Sequence, residues 1–253
     1  MRPTPFRALV FDFDGTLASL CIDFDAMRDH VAAIAARYVP AAPPPGRQPV
    51  LEWMETLAGL MRTPNGNGDA PRAFRSECAA MIRGMEVAAA RHSGLFTYTR
   101  PVLRALEARG VRVGIITRNC AAAVREVFPD AHALCGCVLT RDDTLRVKPH
   151  PDHLRQALHL LGVAPTQALM VGDHPMDIRT GRNALTATAG VASGRTSTLA
   201  LMRAGADIVS RDCLDLVEKL DRCGLLPSAR RTHRNGARPD AWPAPAQPAP
   251  PRR

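Results

Sequence analysis

The sequence predicts an α/β protein: a parallel sheet with helices on both faces, carrying an inserted helical block. Three observations carry that expectation. A short apolar run at residues 8–11 reads as a buried strand. From residue 97 onward, strand-length apolar runs alternate with helix-length periodic segments, which implies parallel strands joined by crossover helices. Residues 18–96 differ in texture, with three helical patterns and no strand pattern.

The first strand delivers Asp12-Phe13-Asp14-Gly15-Thr16-Leu17 to its carboxyl end, where open α/β sheets place their ligands. Asp12 and Asp14 are two residues apart, so in extended geometry they project to the same side. Gly15 lets the backbone turn and approach a ligand closely. Two like charges this near each other, beside an apolar sheet, are costly unless a cation or a shared proton relieves them.

Three helices are expected in the inserted block. The first carries Met27, Val31, Ile34 and Tyr38 behind Asp23 or Asp25 as cap. The second begins after Pro49 and carries Val50, Trp53, Met54, Leu57 and Met61. The third carries Phe74, Cys78, Met81, Ile82 and Met85. Trp53 and the methionines read as core. Residues 40–49 and 63–71, rich in Pro, Ala, Asn and Gly, read as mobile loops.

Beyond the block, a helix opening at Thr99-Arg-Pro101 runs to Gly110, a plausible C′ glycine. Residues 111–116 form a strand ending at Thr117. A helix over 121–127 stops before Pro129. Residues 133–139 are expected to be the next strand, with Lys148-Pro149 in the loop after it. A helix over 151–161 ends at Gly162. A strand over 168–171 ends in Gly172-Asp173, and a helix over 176–183 follows. A weaker strand over 186–191 and a last one over 206–209, flanked by two helices, complete the pattern. Residues 227–253 are Pro, Ala and Arg with few large apolar side chains, and are expected to be disordered.

Composition excludes several classes. The net charge of +9 belongs largely to the tail, where six arginines face one acid; the remainder holds 27 basic and 23 acidic residues. No basic stripe interleaved with aromatics occurs, so the folded part is not expected to bind nucleic acid. Seven cysteines at irregular spacing fit reduced thiols. Cys135 and Cys137 have no second ligand pair at matching distance, so they read as buried small side chains rather than a zinc site. No apolar run approaches a membrane span and the N-terminus is no signal peptide, so the expected location is cytoplasmic. No Gly-x4-Gly-Lys-Ser/Thr phosphate loop is present.

Four polar groups follow strands at one edge of the expected sheet: Asp12 and Asp14, then Thr117, then Lys148, then Asp173 with Asp177. In this order and spacing the chain resembles a haloacid-dehalogenase-type hydrolase of the phosphatase branch. The motifs that carry the resemblance are Asp12-Phe-Asp14-Gly-Thr16, Thr117, Lys148-Pro149 and Gly172-Asp173-His-Pro-Met-Asp177, within residues 5–222. The resemblance implies a Rossmann-like α/β core over residues 1–17 and 97–226, with residues 18–96 as a small helical cap of the phosphoglycolate phosphatase type.

A phosphate monoester dianion repels an anionic nucleophile, so the chemistry calls for a divalent cation and a lysine. The resemblance then implies Mg2+ held by Asp12, the Asp14 main-chain carbonyl, Asp173 and Asp177, the last directly or through water. Asp12 would attack phosphorus to form an aspartyl-phosphate, and Asp14 would serve as acid, then base. Thr117 and Lys148 would contact the phosphoryl group, with Arg118 and Asn119 as further phosphate contacts. The substrate would be a small phosphorylated metabolite. A phosphomutase using the same intermediate is the alternative, and a phospho-acceptor module that does not turn over is a remote one. Whether the protein is a monomer or a dimer stays open.

Overall fold

The structure, a computed structural model, describes residues 4–39, 41–44, 46, 48–61 and 69–228. The tail from residue 229 and most of the 63–71 loop lie outside the described residues. The first half contains β1 (Ala8–Phe11), β2 (Ala18–Ser19), α1 (Phe24–Ala36), α2 (Val50–Leu60), α3 (Asp69–Ala90), β3 (Gly94–Leu95), α4 (Thr99–Ala108), β4 (Arg112–Ile116) and α5 (Ala121–Val127). The second half contains α6 (Ala131–Leu134), β5 (Cys137–Leu139), α7 (Pro151–Leu161), β6 (Ala168–Gly172), α8 (Pro175–Asn183), β7 (Ala187–Val191), α9 (Thr198–Arg203), β8 (Ile208–Ser210) and α10 (Cys213–Arg222).

Six strands form one parallel sheet in the order β5-β4-β1-β6-β7-β8. β1 lies inside it, with Phe11 beside Ile115 on one flank and Val171 on the other. All four β1 residues are buried, which explains its unbroken apolar run: a strand covered on both faces needs no alternation. The carboxyl ends of β1, β4 and β6 therefore lie side by side, and Asp12, Thr117 and Asp173 are the residues that follow them.

Three readings of the sequence need correction. Residues 133–139 are not one strand. A short helix, α6, takes the first part, where Ala133 N donates to Asp130 O and Cys135 N to Ala131 O; pairing with β4 begins only at Cys137. A short apolar run does not distinguish helix from strand by periodicity. The region read as purely helical also contains β2 and β3, which pair antiparallel as Ala18 with Leu95 and Ser19 with Gly94. Two-residue strands are too short to leave a period of two. The last strand is displaced as well, to 208–210, after Asp207 is tied by its carboxylate to the Thr188 amide at 2.8 Å.

The inserted helices form where the sequence places them. The Asp23 carboxylate accepts from the Asp25 and Ala26 amides at 3.1 and 2.9 Å and so caps α1. Pro49 precedes α2. Trp53 is buried, and its indole N–H donates to Pro43 O at 3.1 Å. The apolar faces of α1, α2 and α3 join the sheet in one cluster that runs from Leu9, Phe11 and Phe13 to Trp53 and Phe74. Truncating either aromatic to alanine should cost about 3–5 kcal/mol. Among the described residues, no helix is long and apolar enough to cross a membrane.

Candidate active site

The backbone after β1 is held in place before any side chain acts. Asp12 N donates to Val171 O at 2.8 Å, and Gly15 N to Ala18 O at 2.8 Å. Gly15 has φ +74°, a region that costs other residues strain. From the turn after β7, the Ser193 hydroxyl donates to Gly15 O at 2.7 Å.

Lys148 is the hub of the site. Its side chain is 2% exposed, and Nζ lies 2.6 Å from Asp12 Oδ1 and 2.6 Å from Asp177 Oδ1. Burial disfavours its charge, but the two carboxylates outweigh that and its pKa is raised. Asp12 Oδ1 also accepts from the Phe13 amide at 2.6 Å. Asp177 Oδ2 accepts from the His174 amide at 3.1 Å, closing a capping box at the start of α8. Both oxygens of Asp177 are thus engaged.

Asp12, Asp173 and Asp177 each offer an oxygen atom, all within 4.8 Å of one another. One lysine does not balance three carboxylates, and the carboxyl groups respond. Burial, then the charge of Asp12 and Asp177, push Asp173 up to about 8. Burial, then Asp177, push Asp12 up to about 6 against the opposing pull of Lys148. Asp14 is also pushed up to about 6, mainly by burial, while its Oδ1 accepts from the Leu20 amide at 2.9 Å. An all-oxygen donor set whose mutual repulsion a cation would relieve fits a small, hard dication. The close approach of glycines supports the same fit. A β-carbon on Gly15 or Gly194 would overlap the Asp173 carboxylate, and one on Gly172 would overlap Asp177.

Thr117 is 1% exposed; its amide donates to Leu139 O at 2.9 Å and its Oγ1 accepts from the Asn119 amide at 3.2 Å. Asn119 is buried, and its Nδ2 has no hydrogen-bond partner among the described residues. Arg118 is committed elsewhere. Its guanidinium makes a two-pronged pair with Glu52 of α2 at 2.6 and 2.6 Å, and donates to Lys148 O at 2.8 Å. It therefore meets a carboxylate of the inserted helices, where the sequence suggested a phosphate contact.

Of the sequence-derived set, Lys148 contacts Asp12 and Asp177 directly, and Asp173 brings an oxygen within 4.8 Å of theirs. Asp14 and Thr117 occupy the same edge of the sheet, and Asn119 follows in the Thr117 loop. Several partners were not found from sequence: Glu52, Gly194, Ser193 and His153. His153 lies under Lys148, with Nδ1 accepting from the Lys148 amide at 3.4 Å and Nε2 facing Leu139 O at 3.2 Å. The only sequence signal for Gly194 is a Ser-Gly pair just past a strand end. Glu52, on a helix face more than sixty residues from Arg118, leaves no local signal at all.

Comparison with known proteins gives a consistent result. Residues 6–184 match the family model for haloacid dehalogenase-like hydrolase. Pyrophosphatase PpaX of Bacillus cereus (strain AH820) is 43% identical over 88 residues, which is 34% of this chain and 41% of that protein. The chain thus spans well under half the length of that relative. Phosphoglycolate phosphatase of Shigella dysenteriae serotype 1 (strain Sd197) is 26% identical over 252 residues, covering 90% of this chain and 97% of that protein. The solved structure of a hydrolase from Pseudomonas syringae shares the fold with a TM-score of 0.57 at 22% identity, covering 85% of this chain and 98% of that one.

Proposed function

The chain belongs to the haloacid dehalogenase-like hydrolases, and from that premise we propose that it is a Mg2+-dependent phosphomonoesterase acting on a small phosphorylated metabolite. The observation that carries the reading is Lys148 Nζ at 2.6 Å from both Asp12 and Asp177, with Asp173 completing the carboxylate cluster. Relatives named phosphoglycolate phosphatase and pyrophosphatase support a small phosphate compound as the substrate class.

Asp12 is the nucleophile in this reading. Its Oδ1 is taken by Lys148 and the Phe13 amide, which leaves Oδ2 to attack phosphorus. The P–O bond to the leaving alkoxide breaks as the aspartyl-phosphate forms. Asp14 gives the alkoxide its proton; a carboxyl raised to about 6 by burial can carry one near neutrality. It then takes a proton from the water that hydrolyses the intermediate, which returns Asp12 and releases phosphate. Thr117 hydrogen-bonds a phosphoryl oxygen, and Lys148 offsets charge on Asp12 and the transferring group. Asn119, with its buried amide nitrogen unmatched, is a second phosphate donor.

Asp12, Asp173 and the Asp14 main-chain carbonyl would hold the metal. Asp177, with both oxygens engaged, would act through a water. Bound Mg2+ supplies the positive charge that lets a dianionic substrate approach an anionic nucleophile. In the same reading residues 18–96 form a cap over a catalytic domain of residues 1–17 and 97–226, with paired β2 and β3 as the connection.

The purified protein should hydrolyse 4-nitrophenyl phosphate with Mg2+ and stop with EDTA, and Asp12→Asn should abolish turnover. Near-normal turnover by Asp12→Asn would overturn the mechanism.

A further inference from the structure

The Thr117–Cys120 loop is fastened from outside itself. Arg141, just past β5, donates from its backbone amide to Asn119 O at 3.1 Å and from Nη1 to Arg118 O at 2.7 Å. The same guanidinium pairs with Glu86 of α3, Nη1 to Oε1 at 2.6 Å and Nη2 to Oε2 at 2.9 Å. Glu86 Oε2 also accepts from the Cys120 amide at 3.0 Å, and the Asp142 carboxylate accepts from the Ala121 amide at 2.9 Å. Glu86 is 3% exposed, although it sits on the last of the inserted helices.

We propose that Glu86 is a positioning residue for phosphate binding: by holding Arg141 and the Cys120 amide at once, it fixes the loop that presents Thr117 and Asn119. The proposal rests on the phosphatase reading of that loop. A buried ion pair contributes little net stability compared with apolar side chains of the same volume, but it fixes direction. Here it clamps both sides of one short loop, the Arg118 carbonyl through Arg141 and the Cys120 amide directly. The segment that would cover the substrate thereby supplies part of the scaffold that binds the phosphate.

The test separates positioning from folding. Glu86→Leu alone leaves the largely buried Arg141 guanidinium without its carboxylate and should lower the melting temperature; Glu86→Leu with Arg141→Met should restore it. The double variant should nevertheless bind inorganic phosphate, read as competitive inhibition, about tenfold or more weakly than wild type, with KM raised in parallel and kcat changed less. Glu86→Gln keeps an oxygen for the Cys120 amide and covers the case in which the double variant does not fold. It should weaken phosphate binding by a smaller factor, with its circular dichroism spectrum unchanged. Phosphate inhibition at the wild-type level in either folded variant overturns the proposal. A wild-type protein with neither phosphate inhibition nor phosphatase activity would instead strike the phosphatase reading itself.

Discussion

Gly194 lies so close to Asp173 that a β-carbon on it would occupy the space of the Asp173 carboxylate. The backbone there is not in the left-handed region, so the constraint is one of space alone. Gly194→Ala should therefore displace the carboxylate and lower kcat/KM by roughly 10²-fold, the scale of loss that a misplacement of about 1 Å in a catalytic site can bring. A variant with wild-type kcat/KM would mean that Asp173 is not needed where it stands.

Lys148 faces two carboxylates at 2.6 Å and is almost completely buried. Lys148→Ala should lower kcat by roughly 10²–10³, as loss of one preorganised electrostatic group does. Lys148→Arg should not rescue it, because a planar guanidinium does not fit a site shaped for one compact ammonium. Steady-state kinetics with both variants read this directly.

Asp173 lowers the stability of the metal-free protein at neutral pH. Its carboxyl is pushed up to about 8 by burial and by its acidic neighbours. A raised carboxyl opposes folding above the unfolded value near 4, increasingly so until the pH passes the folded value. Metal-free Asp173→Asn should therefore melt higher than metal-free wild type at pH 7. Mg2+ at a hundred times Kd should add about 2.7 kcal/mol to wild-type stability and so raise its melting temperature, and leave the variant nearly unmoved. Thermal scans with EDTA and with Mg2+ give both comparisons; a variant that melts lower without metal would refute the charge argument.

His153 should give the protein an acid-sensitive side. Burial, then the Lys148 charge, push its pKa down to about 4, and the neutral ring serves as acceptor for the Lys148 amide. The unfolded imidazole takes a proton near 6.5 and the folded one does not until about 4. The stabilisation is complete above pH 6.5 and is lost as the pH falls toward 4, by an amount of order 3 kcal/mol. Denaturant titrations at pH 7 and 4.5 should show wild type losing more stability on acidification than His153→Gln. Equal losses would mean that the ring titrates normally.

Legibility from sequence followed the range of the interactions. Asp12, Lys148, Asp173 and Asp177 could be read because each sits within a few residues of an apolar strand or an X-Pro turn, and topology then brings strand ends together. The helices were legible through their periodicity and caps, Asp23 and Pro49 among them. What escaped depended on distant partners. The role of Arg118 is decided by Glu52, and that of Glu86 by Arg141 and Cys120, pairs that no local pattern links. The sequence extends β5 back to residue 133 because Ala133, Leu134 and Cys135 run into Cys137–Leu139 with no charge between them, and hydrogen bonding to β4 starts the strand only at Cys137.

The pairing of Ala18 with Leu95 and Ser19 with Gly94 has an architectural consequence. The chain leaves the parallel sheet and returns to it through neighbouring strands, about 5 Å apart. Everything between them is a cassette with its two ends side by side. A segment grafted between those strands would need its own counterparts of Glu52 and Glu86, because both hold the loop that follows β4, and an apolar face to complete the cluster it shares with the sheet. Its ends are thus set by one short strand pair, while its middle is fastened separately to the loop after Thr117.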